Sequence, residues 1–451
     1  MNDMTTYTMY GQNSSWKTQL CSEISKENTK KYETVRVAGW VHFIRDKGKI
    51  IFIQLRDASG LCQITLNETK SPEEAFKNAK QLSLESIISV EGIIKEDARS
   101  INGAELIPSI IFILSKAEPK IPIDINEKVP FDKDTEFRFR ELSIRTKRVQ
   151  AIMNVKSEIA FAVRNFFRKN GFFELFTPYI LSTATEGGAE KFETSYFGKK
   201  AFLAQSCQFY KQAAVQTHEK VFGIIPSWRA EKSRTPKHIT EFHQIENEIA
   251  FGTNDTIMEI QENLLHEVVK HVKEHSNSEL VLLNRTDLKI PELPMKRVTF
   301  AEAKKILREK LNFEEPADAD FTTPEETALS KYFPDPFFIT KFPTHLRGIY
   351  YETDPENEKL TDSMDCVAPE GYGEMSSGGQ RVASKDRLLK RLEIANMDPS
   401  NFEWYIRMFE YGFPPHAGYG LGFERLIRWI CGLEHIREGI LFPRTPDLVT
   451  P

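Results

Sequence analysis

PSWRAEKSRTPKHITEFHQIENE, residues 226–248, is the stretch from which the rest of the chain is read. Arg229 and Glu231 stand two apart, on one face of a predicted strand. A polar turn follows, and Phe242 to Glu248 reads as the returning strand of a hairpin. A guanidinium grips two phosphate oxygens at once, so Arg229 is the candidate for holding a phosphate group. His238, in the turn, either reaches a ligand held by the hairpin or is simply a solvated loop histidine. Taken alone, an Arg-Ala-Glu triplet is an exposed strand edge.

Downstream, SMDCVAPEGYGEMSSGGQR (363–381) sets Asp365 and Glu374 among glycines, with Arg381 seven residues beyond the glutamate. Hard carboxylates near phosphate oxygens are what Mg²⁺ requires, although Asp365 equally suits a turn cap. GYGLGFERLIRWI (418–430) places Gly418, Gly420 and Gly422 ahead of a helix that begins near Arg425, so the expectation is close backbone packing against a ligand and a helix N-terminus suited to phosphate. No Gly-x-Gly-x-x-Gly opens a βαβ unit and no Gly-x-x-x-x-Gly-Lys-Ser/Thr loop is present, which removes the dinucleotide and phosphate-loop folds.

Upstream, RTKRVQAIMNVKSEIAFAVRNFFRKNG (145–171) spaces Val149, Ile152, Met153, Ile159, Val163, Phe166 and Phe167 as one face of a long helix running into the strand FFELFTPYI. Before it lie five short β-type runs, VRVAGWVHFI, KIIFIQLRD, LCQITLNE, ESIISVEGIIKE and ELIPSIIFILSKAEP, the pattern of a small closed barrel of the oligonucleotide-binding kind. The expected organisation is a loosely held polar arm with one helix over 1–34, the barrel over 35–119, a proline-rich hinge over 120–144, and a second domain over 145–451 with an insertion at about 279–344.

With 451 residues, a single small module is excluded. Sixty Lys plus Arg against sixty-five Asp plus Glu leave a charge of −5, so any nucleic-acid surface must be local. No apolar run reaches the roughly 18 residues of a membrane span, and the polar start is unlike a signal peptide. Five scattered cysteines form no Cys-x-x-Cys pair, which points to a reducing compartment and the cytoplasm. His266, His271 and His275 share one predicted helix without a metal-site spacing and read as a solvated face.

Together the helix and strand ending at Pro178, the hairpin run and the glycine-rich segment resemble the three signatures of class II aminoacyl-tRNA synthetases, in the Asp, Asn and Lys subgroup, over about Val35 to Pro451. The resemblance implies an α+β chain: an N-terminal β-barrel (OB-fold) and a catalytic domain built on an antiparallel sheet flanked by helices, dimerising through the first signature. It implies ATP and Mg²⁺ as cofactors. Arg229 takes the α-phosphate, Arg425 the γ-phosphate, and Phe242 the adenine ring. His238 adjoins the nucleotide, Glu231 the nucleotide or the amino-acid amide, and Glu374 binds both ATP and the metal, the latter with Asp365. For the amino acid it implies Glu186, in the loop TATEGGAEKF, at the α-amino group, Arg381 at the side-chain oxygen, and Ser206, Gln208, Lys211 and Glu246 as pocket lining. In the barrel it implies Arg45, Phe52 and Gln63 on an anticodon-binding face, with Phe52 stacking an unpaired base.

Arg-Ala-Glu-Lys-Ser-Arg-Thr, Ala-Pro-Glu-Gly-Tyr-Gly-Glu and the terminal Phe-Pro-Arg-Thr-Pro resemble the asparaginyl branch. Lys211 argues for the aspartyl branch, where a lysine at this position pairs the substrate carboxylate. The reading taken is asparagine activation and transfer to tRNA, with Lys211 neutralised by Glu246 or Glu231. Aspartate–tRNA ligation and a non-catalytic RNA-binding paralogue stay open as alternatives.

Overall fold

The computed structural model describes residues 16–182, 190–232 and 235–450, in two compact units, Met1–Phe131 and Asp132–Pro451.

In the first unit β1 (Val35–Asp46), β2 (Ile50–Asp57), β3 (Gly60–Asn67), β4 (Ile87–Glu96) and β5 (Ala104–Ser115) close into a barrel in the order β1-β2-β3-β5-β4. Period-two alternation makes the core: Ile51, Ile53 and Leu55 of β2 and Cys62, Ile64 and Leu66 of β3 are buried, while the residues between them face outward. Closure brings backbones into contact at two glycines, for a Cβ at Gly39 would lie 2.2 Å from the Arg56 carbonyl oxygen and one at Gly92 2.1 Å from that of Ile107. The helix Glu73–Lys80 covers part of the core with Ala75, Phe76 and Ala79.

The described part of the arm, from Trp16, carries two 3₁₀ turns, Cys21–Glu23 and Lys26–Asn28, and is held more firmly than expected. It is docked, since Cys21 and Ile24 enter the barrel core, the Cys21 amide donates to Asp57 at 2.9 Å and Lys17 pairs with the same carboxylate. Two small apolar anchors among polar residues give no periodic signal.

The second unit is built on eight strands in the order β12-β13-β14-β15-β16-β11-β10-β6. These are β6 (Phe173–Glu174), β10 (Lys220–Trp228), β11 (Glu241–Ala250), β12 (Lys296–Thr299), β13 (Phe337–Thr340), β14 (Ser363–Ala368), β15 (Gly373–Gln380) and β16 (His416–Gly422). The six central strands pair antiparallel and the two edge strands parallel, so the sheet is mixed rather than wholly antiparallel. A separate small sheet joins β7 (Ile180–Leu181), β9 (Lys199–Leu203) and β8 (Glu193–Tyr196).

The long helices Lys147–Lys169 and Asn254–His275 and the shorter Phe423–Cys431 share one core with the sheet. Thr146 and Thr253 start the two long ones by accepting from the Val149 and Thr256 amides. Val149, Ile152, Val155, Ile159, Val163 and Phe167 are buried along the first, and Phe167 stacks on Phe222 of β10 at 4.7 Å.

Two further expectations change. Residues 132–143 of the supposed hinge form the short helices Lys133–Arg138 and Arg140–Ser143, and buried Arg140 donates to the carbonyls of Ile440 and Leu441 at 2.8 and 2.7 Å. The prolines that suggested a hinge all precede Asp132, which caps the first of these helices. Residues 279–344 supply β12, β13 and two helices with a core of their own, extending the main sheet.

Candidate active site

A cleft of about 970 Å³ opens on the sheet of the second unit, lined by residues of β11, β15, β16 and the helix after β16. The hairpin β10–β11 holds it from one side, with Trp228 opposite Glu241 and Ser227 opposite Phe242. Arg229 and Glu231 were expected within the strand but lie just past its end, where the Arg229 amide still donates to Thr240 at 2.9 Å. The Arg229 guanidinium sits over the Phe242 ring, 5.5 Å from its centroid, and both line the cleft with Glu231.

Across the cleft, Gly422 precedes the helix Phe423–Cys431 and puts Arg425 in its first turn. Arg425 Nη1 lies 3.0 Å from the carbonyl oxygen of Glu374 and 3.3 Å from its Oε1. Burial works against the Glu374 charge, but Arg425, Lys237, Arg347 and Arg229 outweigh it and hold the carboxyl below its ordinary range. His238 is in the cleft wall, hydrogen-bonded to Thr235, and burial together with Arg425 and Lys237 pushes it down to about 4. It is therefore neutral at physiological pH.

Several cleft residues escaped the sequence reading. Arg347 pairs with Asp365 at 2.8 Å, donates to Ser377 Oγ at 3.0 Å and lies 3.6 Å from the Phe342 ring centroid. Lys237, in the hairpin turn, pairs with Glu326 of the helix Thr323–Tyr332. Burial and the Glu374 charge raise the Glu326 carboxyl. Asp365 is set back: Arg347, not Asp365, is among the lining residues, and burial pushes the aspartate up to about 6 against the pull of Arg347. Arg347 and Glu326 come from stretches without a motif, so only the fold brings them here. No group of three or more His, Cys, Asp or Glu side chains among the described residues forms a ready metal cage. Mg²⁺ does not need one, for it takes one or two carboxylates and completes its shell with water and phosphate oxygens, a demand that Glu374 with Asp365 behind it fits.

At the far end of the cleft, Gln208 heads the helix Gln208–His218, and its buried Nε2 has no hydrogen-bond partner. Ser206 is buried and accepts from the Gln208 amide at 3.3 Å. One turn on, Lys211 is sequestered from the cleft. Its ammonium donates to Glu246 Oε2 at 2.6 Å and to the carbonyls of Asn247 and Tyr419, both at 3.1 Å, and lies 3.1 Å from Glu248 Oε2. Glu246 lines the cleft; Arg381 stands behind it, 2.9 Å from Glu248 through Nε and 2.7 Å from the Gly418 carbonyl through Nη2, while its buried Nη1 has no hydrogen-bond partner.

Gly420 and Gly422 line the cleft, and Gly418 and Gly420 serve a further end: the room of their missing side chains is occupied by Glu248 and Glu246 of neighbouring β11. Glu186 lies outside the described residues.

In the barrel, Arg45, Phe52 and Thr65 face one another across β1, β2 and β3, as do Phe43, Gln54 and Gln63. Phe52 lies between core residues Ile51 and Ile53 and points to the outer face, half-buried, beside exposed Arg45. Gln63 Nε2 donates to Ser100 at 2.8 Å. The histidines of the Asn254–His275 helix are structural, with His266 on the Pro291 carbonyl at 2.9 Å and His271 on Glu158 at 2.7 Å.

A sheet bearing this cleft of arginines and carboxylates, preceded by a small closed barrel, defines a class II tRNA synthetase, a ligase. Within that class the chain belongs to the family of tRNA synthetases class II (D, K and N), which residues 132–446 match, while residues 35–114 match the OB-fold nucleic acid binding domain. It is 39% identical over 415 residues to the aspartate–tRNA(Asp/Asn) ligase of Sulfurisphaera tokodaii, covering 92% of this chain and 95% of that one. It is also 39% identical over 434 residues to the asparagine–tRNA ligase of Pyrococcus horikoshii, covering 96% and 99%. The crystal structure of asparaginyl-tRNA synthetase from Pyrococcus horikoshii complexed with asparaginyl-adenylate superposes with a TM-score of 0.90 at 37% identity, over 96% of this chain and 99% of that one. No helix among the described residues is long and apolar enough to cross a membrane.

Proposed function

We propose that this chain is an asparagine–tRNA ligase, which activates asparagine with ATP and transfers it to tRNA-Asn. The observation that carries the choice is Lys211. Its ammonium is satisfied by Glu246 and two backbone carbonyls, with Glu248 beside it. Lys211 is thereby withheld from the second carboxylate oxygen of aspartate, whereas an amide asks for no such cation. The Pyrococcus horikoshii synthetase bound to asparaginyl-adenylate supports the same choice. Aspartate ligation is the second reading, favoured by the presence of Lys211 and by the relative from Sulfurisphaera tokodaii.

In the first step a carboxylate oxygen of the amino acid bonds to the α-phosphorus of ATP as the α–β anhydride bond breaks and pyrophosphate leaves. Such a step depends on in-line aim and charge neutralisation more than on proton transfer. Arg229 holds the α-phosphate, Phe242 the adenine, and Arg425 the γ-phosphate. His238 and Glu231 border the nucleotide. Glu374, with Asp365 behind it, would hold Mg²⁺, which supplies charge neutralisation on the phosphates when bound. Glu246, Gln208, Ser206, Lys211 and Arg381 shape the amino-acid end, with the unpartnered Gln208 Nε2 and Arg381 Nη1 as donors in reserve. In the second step a ribose hydroxyl at the tRNA 3′ end attacks the activated carbonyl carbon and AMP leaves.

Arg45, Phe52 and Gln63 on the barrel receive the anticodon. The assembly is a homodimer through the first signature, a reading supported by Phe173, Phe176 and Ile180, which are exposed beside the edge strand β6, Phe176 by 81%. The five described cysteines are all free and buried, which suits a reducing cytoplasm.

ATP–pyrophosphate exchange with asparagine and with aspartate decides the substrate: asparagine should drive it, and faster exchange with aspartate overturns the choice. Sedimentation should give a dimer at micromolar concentration, and a stable monomer removes the dimer.

A further inference from the structure

The five cysteines lie far apart in sequence, yet folding brings two of them together in the first unit. Cys21 belongs to the first 3₁₀ turn of the arm and Cys62 to β3; both are free, both have 0% exposure, and they fill one core. The Cys21 thiol is hydrogen-bonded to Cys62. Their approach is fixed from both sides. Cys62 sits opposite Leu55 of β2, on the inward row of β3 that continues through Ile64 and Leu66. The arm is pinned around Cys21: its amide donates to Asp57 at 2.9 Å, the Ser22 amide donates to Ser59 at 3.0 Å, and Lys17 pairs with the Asp57 carboxylate. Asp57 ends β2 and Gly60 begins β3, so the turn that leads into Cys62 is also the turn that holds Cys21. The hydrogen bond to Cys62, burial and the Asp57 charge raise the Cys21 thiol against the pull of Lys17, which keeps it protonated and inert while the arm is docked. The other three cysteines belong to the second unit, where burial is the first cause raising each thiol.

We infer that Cys21 and Cys62 form a modification site, a dithiol that a small disulfide oxidant of the glutathione kind converts into an internal disulfide, stapling the arm to the barrel. When the arm lifts, the Cys21 thiolate attacks one sulfur of the oxidant; the oxidant's S–S bond breaks, and its first half leaves as a thiol with the proton Cys21 gave up. As the arm returns, the Cys62 thiolate attacks Cys21 Sγ, and the second half leaves as a thiol with the Cys62 proton. The protein loses two hydrogens and the oxidant becomes two thiols. The new bond closes the chain from Cys21 to Cys62 into a loop and removes arm-open states from the unfolded and partly unfolded chain. Excess thiol reverses both steps, so the dithiol persists under reducing conditions and the staple forms under oxidising ones.

The test uses the full-length protein, first reduced and then incubated with oxidised glutathione under native conditions. The intact mass should fall by about 2 Da, the loss of two hydrogens. Peptide mapping should join the peptides that carry Cys21 and Cys62, and the melting temperature should rise by at least about 5 °C over the reduced protein. Dithiothreitol should reverse all three changes. Cys21→Ala and Cys62→Ala should each lose the mass change and the melting shift while keeping wild-type pyrophosphate exchange, because the cleft lies within Asp132–Pro451. Should Cys62→Ala not fold, Cys21→Ala on the arm supplies the same control. A native protein that keeps its mass, one that holds glutathione on Cys21 or Cys62 without the link, or one linked through Cys207, Cys366 or Cys431 overturns the inference. A linked protein that melts with the reduced one overturns the staple as well.

Discussion

A side chain at position 420 would collide with the carboxylate of Glu246, because a Cβ there lies 2.9 Å from Glu246 Oε1. Glu246 cannot swing away freely, being held by Lys211 at 2.6 Å. Gly420→Ala should therefore raise the amino-acid KM by about tenfold, the cost of roughly one misplaced hydrogen bond, and leave the KM for ATP nearly unchanged. Gly418→Ala is expected to be worse, since its Cβ would lie 2.1 Å from Glu248 Oε2 and 2.3 Å from the Asn247 carbonyl, a backbone atom fixed by the pairing of β11 with β16. A loss of stability of about 3 kcal/mol is the expected scale, read from thermal melts. If the Gly420 variant instead shows a selective loss of ATP affinity, Glu246 belongs to the nucleotide end.

Arg229 lies over Phe242 with its guanidinium on the cleft side. Arg229→Ala should reduce pyrophosphate exchange by about 10²–10³-fold, the range for removing one preorganised donor from a charge-developing site. Its melting temperature should change little, for the side chain is only half-buried. Near-normal exchange in a folded variant would remove Arg229 from the chemistry.

How much of this was legible in the sequence depends on whether a feature is local. The barrel was readable because the alternation in Leu61–Leu66 that buries Cys62, Ile64 and Leu66 is written residue by residue. The hairpin and the helix start at Arg425 were readable because each is one continuous segment. Arg347, Glu326 and Glu248 were not, since their importance comes from which strands become neighbours: Asp365 meets Ser377 only through β14–β15 pairing, and Glu248 meets Gly418 only through β11–β16. The glycines show the same limit. Their smallness was visible, but not that neighbouring glutamates claim the space. Arg140, read as part of a hinge, is buried by carbonyls some 300 positions away in the chain.

Acid should destabilise the second unit through His416. Burial pushes this histidine down to about 4, against the pull of Glu248. The unfolded chain, with an ordinary value near 6.5, takes up a proton between pH 6.5 and 4 that the folded chain refuses. Stability from this group is thus complete above about pH 6.5, falls by at most about 1.4 kcal/mol per pH unit below it, and levels off under pH 4. Half-buried His238 and His435 are shifted in the same direction and add a smaller, solvent-screened share. Melts at pH 8 and pH 5 check this, with His416→Gln as the comparison. A variant that loses as much between the two pH values as the wild type would clear His416 of the effect.

If the barrel receives the anticodon as proposed, replacing Phe52 should separate the two halves of the activity. It stands on the outer face of β2, opposite Arg45 on β1 and Thr65 on β3, while Ile51 and Ile53 on either side of it fill the barrel core. Replacing it by Ala therefore removes little of the packing that closes the barrel. What it removes is a flat apolar ring beside an exposed guanidinium, the combination on which an unpaired base stacks at a worth of about 1–3 kcal/mol. Phe52→Ala should lower kcat/KM for tRNA charging by roughly 5–150-fold, the same energy expressed as a rate ratio. Pyrophosphate exchange without tRNA should be unchanged, because the cleft lies wholly within Asp132–Pro451. Raised salt should weaken charging further in both proteins, since phosphate contacts survive the substitution. Parallel losses in charging and exchange, together with a lowered melting temperature, would show that the ring holds the barrel together instead of receiving a base.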